Sequence, residues 1–265
     1  MLIVSLAQNV PGPVAVSRLV ADGARAIKIE PPAGDALERL SKQWYDELHA
    51  GVRVERLDLK SAHGLSALRA QLLSADLFFA SQRPGALHRL GLDADALLRD
   101  FPRLRHLNII GDTRDAEHPG HDLTYQAEIG LLHGHILPRT LIADMAGAER
   151  AHAAAAQLLA GPPGTRVEVG LADALRDLAA PLRYGLTAPG GPLGGANPAY
   201  GIYAARDGFI AVAALEPHFR ARLYEGLGLP NGNDPSVVFS TKTVAEWEQW
   251  ARDRDLPLVG CAKAF

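Results

Sequence analysis

One cysteine in 265 residues, Cys261, leaves nothing to pair in an intramolecular disulfide and too few thiolates for a metal cluster. That usage fits a reducing cytoplasm. Neither sign of charge dominates: 27 Lys and Arg stand among 30 Asp and Glu, for a formal net charge of −3. No basic stripe for nucleic acid or an anionic membrane surface follows from such a mixture. Long apolar runs are missing as well. The stretch "AHAAAAQLLAGPPGT" (151–165) ends in Gly-Pro-Pro-Gly and is shorter than the ~20 residues a bilayer requires. "MLIVSLAQNV" has no basic n-region, so no secretory leader is expected. The turn after the first apolar run, "AQNVPGP", holds Gly12 alone, which argues against a dinucleotide pyrophosphate there. There is no P-loop, no Gly-x-Ser-x-Gly elbow, and no pair of histidines spaced to clasp zinc around a glutamate. Metal and redox chemistry are not expected.

What remains is an ordinary globular composition, 48% hydrophobic and 22% charged, long enough for one large domain and a smaller one. "LIVSLA" (2–7) reads as a buried strand. "GPVAVSRLVADG" (12–23) reads as a helix with proline in its first turn and glycine past its end, and "ARAIKIE" (24–30) as a second strand. The alternation continues. A helix is expected over 61–75, a strand over 76–81, a helix capped by Asp93 and stopped by Pro102, and a strand over 104–111. A long helix over about 144–160, the strand "RVEVG" (166–170) and a helix over 171–182 follow. This is the pattern of an open parallel α/β sheet with helices on both faces. Five glycines and three prolines in residues 185–198 suggest a linker. Beyond it, a hairpin turning at Arg206-Asp207-Gly208 precedes helices at 216–228 and 243–255 and a last strand, "LPLVG". Trp247 and Trp250, three apart, suit a packing face. His133 and His135, around Gly134, suit a helix C-terminus.

Chemistry concentrates in "HPGHDLTYQAEIGLL" (118–132) and "LIADMAG" (141–147). These place His121, Asp122 and Asp144 at the mouths of two helices. By residue type alone, the aspartates suit N-caps and the histidine a loop. Those plain roles are favoured on type alone, but a base and an acid on opposite sides of a substrate carbon could also move a proton. At a helix N-terminus the dipole favours carboxylate over imidazolium, and unpaired N–H groups there could receive an oxyanion.

Six blocks in order extend the comparison: "ARAIKIEPPAGD", "LDLKSAHG", "RPGALHRLGLD", "PGHDLTYQA", "LIADMAG" and "YGIYAARDGFIAVAALEPHF". Together they resemble the class III coenzyme A transferase family, which includes the alpha-methylacyl-CoA racemases. The resemblance implies a Rossmann-like open parallel sheet, a smaller α+β domain and an interlocked homodimer. It divides the chain into a CoA-binding domain (1–184), the linker (185–198), a trimmed small domain (199–245) and a return to the large domain (246–265). His121 and Asp144 match the proton-transfer pair of the racemase branch, whose substrate is an acyl-CoA of 2-methylacyl type. No cofactor beyond coenzyme A itself is implied. In the transferase branch, Asp122 matches the carboxylate that carries CoA as a thioester, and Gln126 is the more transferase-like detail. Leu57, Lys60, Arg83 and Arg89 match the coenzyme contacts, although Lys and Arg also suit a solvated surface. Thr140 stands where racemases have asparagine, and Ala204 where some have glutamate. Those changes and the reduced length leave a third reading open: a non-catalytic member acting as a binding or partner subunit.

Overall fold

The computed structural model describes residues 1–262, which divide into units at residues 1–179 and from 180 onward. The first unit opens with β1 (Leu2–Ser5), α1 (Pro11–Ala21) and β2 (Arg25–Glu30), then α2 (Ala36–Leu40), α3 (Lys42–Leu48) and β3 (Val52–Arg56). It continues through α4 (Ala62–Leu72), β4 (Leu77–Ala80), α5 (Pro84–Arg89), α6 (Ala94–Asp100) and β5 (Arg105–Ile110). It closes with α7 (Asp122–Ile129), α8 (Ile142–Ala160), β6 (Arg166–Gly170) and α9 (Leu171–Leu178).

Six strands pair in parallel in the order β3-β2-β1-β4-β5-β6. Side chains alternate across such a sheet. Ile3, Phe79 and Leu107 therefore face α1, α8 and α9 in one core, while Val4, Phe78 and Ala80 face α4, α5 and α6 in another. Burial on both faces explains the nearly continuous apolar runs of β1 and β4. β3 was not legible as a strand, because the edge residues "VRVER" alternate with charge and bury nothing fully. Asp93 caps α6 by accepting from Ala96 N–H at 3.0 Å, as its position before an apolar run suggests. No helix among the described residues is long and apolar enough to cross a membrane.

The second unit holds α10 (Ala180–Arg183), β7 (Tyr200–Ala205), β8 (Gly208–Ala213), α11 (Pro217–Leu227), α12 (Ser236–Phe239), α13 (Val244–Arg252) and β9 (Leu258–Gly260). Two sequence expectations change here. Residues 246–262 stay in the small unit instead of joining the large one: β9 pairs antiparallel with β8, Leu258 opposite Val212. Trp247 is buried against Phe239, whose carbonyl accepts from its indole N–H at 2.7 Å. Without α13 and β9 the hairpin would lose Trp247, Ala251 and Leu258 from its core and the strand that pairs with β8. The segment 185–198 is also no slack tether. It is wound on itself, with Leu193 N–H donating to Leu186 O and Gly190 N–H to Gly194 O, both at 2.8 Å. A Cβ on Gly194 would sit 1.8 Å from the Ala188 carbonyl, so this winding demands glycine.

Candidate active site

The strand order reverses its sense between β1 and β4, and in open α/β sheets ligands gather in the crevice at the carboxyl ends of strands around such a point. Two cavities open there. A groove of ≈ 520 Å³ is lined by Leu57, Lys60 and Arg89, together with Gln8, Glu30 and Gln82. A smaller cavity of ≈ 210 Å³ is lined by His121, Asp144, Arg83 and Tyr125, and again by Gln8. Three of the four basic or backbone positions assigned to coenzyme thus share the groove. Arg83 lines the smaller cavity with His121 and Asp144 instead.

His121 is the N-cap of α7, in extended backbone, and its own N–H donates to the Thr124 hydroxyl at 3.0 Å. Its side chain is exposed to the cavity. Asp122 begins the helix and points the other way. It is 4% exposed and does not line the cavity. Its Oδ1 accepts from the N–H groups of Ala143 at 2.7 Å and Asp144 at 3.2 Å, and its Oδ2 accepts from the Gln126 amide at 2.6 Å. Asp122 is therefore a cap, but for α8 rather than for its own helix.

That arrangement decides the character of Asp144. It sits in the first turn of α8, past the N-cap Leu141, so it does not cap the helix. Two N–H groups of that terminus already serve Asp122, and neither remains for an oxyanion. Burial, and then the neighbouring Asp122 charge, push the Asp144 carboxyl up to about 7. The dipole that would favour its ionisation is spent on Asp122. The sequence suggested a carboxylate eased by the helix; the structure gives one held back from ionising.

Tyr125, two per cent exposed, was missed by sequence reasoning. It lies on the helix turn after His121, and its ring fills space that only glycine leaves. A Cβ on Gly111 would meet its hydroxyl at 2.4 Å, and one on Gly120 its ring at 2.4 Å. Burial, with Asp144 next, raises its hydroxyl pKa. The spacing of glycines around "PGHDLTY" was the available signal. Glu30 was missed too. It ends β2, fully buried, where Lys28 Nζ lies 3.1 Å away and the Tyr45 hydroxyl donates to Oε1 at 2.7 Å. Among the described residues its Oε2 has no hydrogen-bond partner, and Arg56 Nε stands 3.6 Å off in a looser ion pair. Lys28 also bonds Asp35 at 2.5 Å, and Asp35 accepts from Asn9 N–H at 3.1 Å, fixing the left-handed backbone of Asn9 (φ 63°) beside Gln8. His133 and His135 lie in the loop after α7, which ends at Gly130, and not at the helix terminus expected of them.

The model of CoA-transferase family III matches residues 1–261. The chain belongs to that family. Mouse alpha-methylacyl-CoA racemase is 30% identical over 289 residues, spanning 93% of this chain and 73% of that protein. The BbsE subunit of succinyl-CoA:(R)-benzylsuccinate CoA-transferase from Thauera aromatica is 33% identical over 135 residues, 46% of this chain and 33% of its own length. The crystal structure of Rv3272 from Mycobacterium tuberculosis superposes with a TM-score of 0.84 at 21% identity, over 100% of this chain and 84% of that one, and so shares the fold. Family III thus holds relatives of this chain with two different reactions, and the local geometry has to separate them.

Proposed function

We propose that this family III protein is a racemase-type enzyme, moving the α-proton of a 2-methylacyl-CoA thioester from one face to the other. The observation that carries this reading is the division between the two aspartates: Asp144 opens on the cavity it shares with His121, while both oxygens of Asp122 are already bonded. A group titrating near 7 serves equally as acid and as base at neutral pH. One of the pair takes the C2 proton, leaving an enolate, and the other returns a proton to the opposite face. The Tyr125 hydroxyl and the Arg83 guanidinium are two of the polar groups lining the same cavity that could face the enolate oxygen. Lys60 and Arg89 suit the coenzyme phosphates, with the acyl end passing Gln8 into the smaller cavity.

The test is isotopic. Incubated in D₂O with a 2-methylacyl-CoA, the protein should place deuterium at C2 while the epimers interconvert. His121→Ala and Asp144→Ala should each cut this by roughly 10²–10⁴-fold, the usual share of a general acid–base group. CoA binding with no exchange on any branched acyl-CoA would end the proposal in favour of a binding subunit. A transferase reading has one supporting feature, a carboxylate at the cavity, but that carboxylate is Asp144. Conversion of the Asp144 carboxyl to its hydroxamate by hydroxylamine, with release of CoA and only in the presence of an acyl-CoA, would favour it. We also propose a homodimer, which sedimentation at micromolar concentration checks; a stable monomer would refute it.

A further inference from the structure

A third cavity, of ≈ 430 Å³, lies away from both of these, against β5 and β6 and the start of α6. It breaks the rule that the faces of a parallel sheet are apolar. β4 presents Phe78 and Ala80 to this side, but β5 presents His106 and Asn108, and β6 sets Arg166 opposite His106 and Glu168 opposite Asn108. His106 is 4% exposed and Asn108 1%. Each carries a buried polar atom with no hydrogen-bond partner among the described residues, His106 Nε2 and Asn108 Oδ1. An orphaned acceptor in such a place costs about 1–3 kcal/mol, so two beside one cavity call for an occupant.

The orientation of Asn108 is not free. Its Nδ2 donates to the Gln82 carbonyl at 3.1 Å, and turning the amide over would set oxygen against oxygen. Oδ1 therefore faces away from that bond as a fixed acceptor. His106 is driven down to about 4, by burial first and by Arg166 second, so at neutral pH its ring is uncharged and its Nε2 can accept. Around the mouth, Arg166 is ion-paired with Asp95, and Asp93 is committed to capping α6. The exposed Glu168 carboxylate, beside Asn108 on the same face, brings the lining to a net negative charge: three carboxylates against one guanidinium.

We propose that this cavity is a second ligand site, built for a small organic cation bearing a primary ammonium group. Its charge would face Glu168, and a small shift of the lining would bring its N–H donors onto Asn108 Oδ1 and His106 Nε2, both buried atoms. An anion meets no unpaired cation there among the described residues, and an uncharged polyol would gain nothing from the carboxylate. At ≈ 430 Å³ the volume falls in the range of small-molecule sites and exceeds what one or two structural waters require.

Calorimetric titration of the full chain at low salt with putrescine, and with 1,4-butanediol as its uncharged counterpart, tests this. Putrescine should bind in the micromolar to low-millimolar range, and the diol should not. Glu168→Gln, an exposed change that leaves the fold intact, should weaken binding tenfold or more. Glu47→Gln, which removes an exposed carboxylate elsewhere, should leave it unchanged. Asn108→Leu should abolish binding, with its melting curve read alongside to confirm folding. No heat with putrescine at 10-fold above that range, equal binding of the diol, or equal weakening by Glu168→Gln and Glu47→Gln would each overturn the proposal.

Discussion

Two groups of buried acid in the large unit follow opposite designs. At the end of β2, Glu30 and Asp35 share the ammonium of Lys28, with side chains 0–3% exposed and Arg56 at the margin. At the start of α8, Asp122 takes two backbone N–H groups and one amide while the neighbouring Asp144 takes none of them, and among the described residues no cation is in hydrogen-bond contact with either. The first group cancels its charge and holds a loop in place. In the second, one acid takes all the stabilisation available and leaves its neighbour reluctant to ionise. A buried charge with its partner supports structure, whereas one denied a partner becomes a proton donor and acceptor near neutral pH.

Breaking the balanced group should have the largest effect. Lys28→Met strands two buried carboxylates, and removing one partner from a buried pair typically costs about 3–5 kcal/mol. Urea unfolding should show that loss; a change below about 1 kcal/mol would mean the cluster is solvated and interchangeable with surface pairs.

Breaking the unbalanced group should do the reverse. A carboxyl whose native pKa lies above its unfolded one binds its proton more tightly when folded. Its contribution to stability is complete below an unfolded value of about 4, and is lost as pH rises through about 7. Asp144→Asn removes that loss. The variant should therefore gain on wild type between pH 5 and pH 8, by on the order of 2 kcal/mol once partial exposure is discounted. Parallel stability curves for the two proteins would show that Asp144 titrates normally. A more stable protein with less proton exchange would be the expected trade at a reactive group.

The smallest effect sharpens the comparison without breaking either group. Asp122→Asn keeps an oxygen to accept from Ala143 and Asp144 and removes the charge, while the Gln126 amide turns over to accept from the new Nδ2. Burial is the larger cause of the Asp144 shift, so its pKa should fall but stay above the ordinary carboxylate range. In the pH profile of C2 exchange, the limb assigned to Asp144 should move modestly to lower pH. An unmoved limb would separate Asp122 from the electrostatics of the site and leave it as a cap alone.

The same contrast shows how far sequence carries. The α/β alternation, the hairpin at Arg206-Asp207-Gly208 and the packing role of Trp247 were legible, because period and turn chemistry are local. His121, Asp122 and Asp144 were legible as types. Which aspartate opens on the smaller cavity was not, since Asp122 and Asp144 are 22 positions apart and which one receives the α8 N–H groups is a tertiary fact. Glu30 was invisible for a related reason: it reads as the end of a strand until its free oxygen is seen beside a groove. The placement of α13 and β9 failed because family likeness outweighed the simpler need of a short hairpin for a third strand.

The hydrogen bond from Asn108 to the Gln82 carbonyl has a thermodynamic consequence. Gln82 lines the ≈ 520 Å³ groove, and its own amide is anchored to Leu6 O at 2.7 Å, so one short strut reaches from the polar cavity at β5 to the loop after β4. Whatever free energy an occupant of one cavity puts into that strut, an occupant of the other must receive in equal measure, because linkage between binding sites is reciprocal. A cation that tightened coenzyme binding threefold would itself be held threefold more tightly when coenzyme was present, and a chain measured in amine-free buffer would report only one corner of that square.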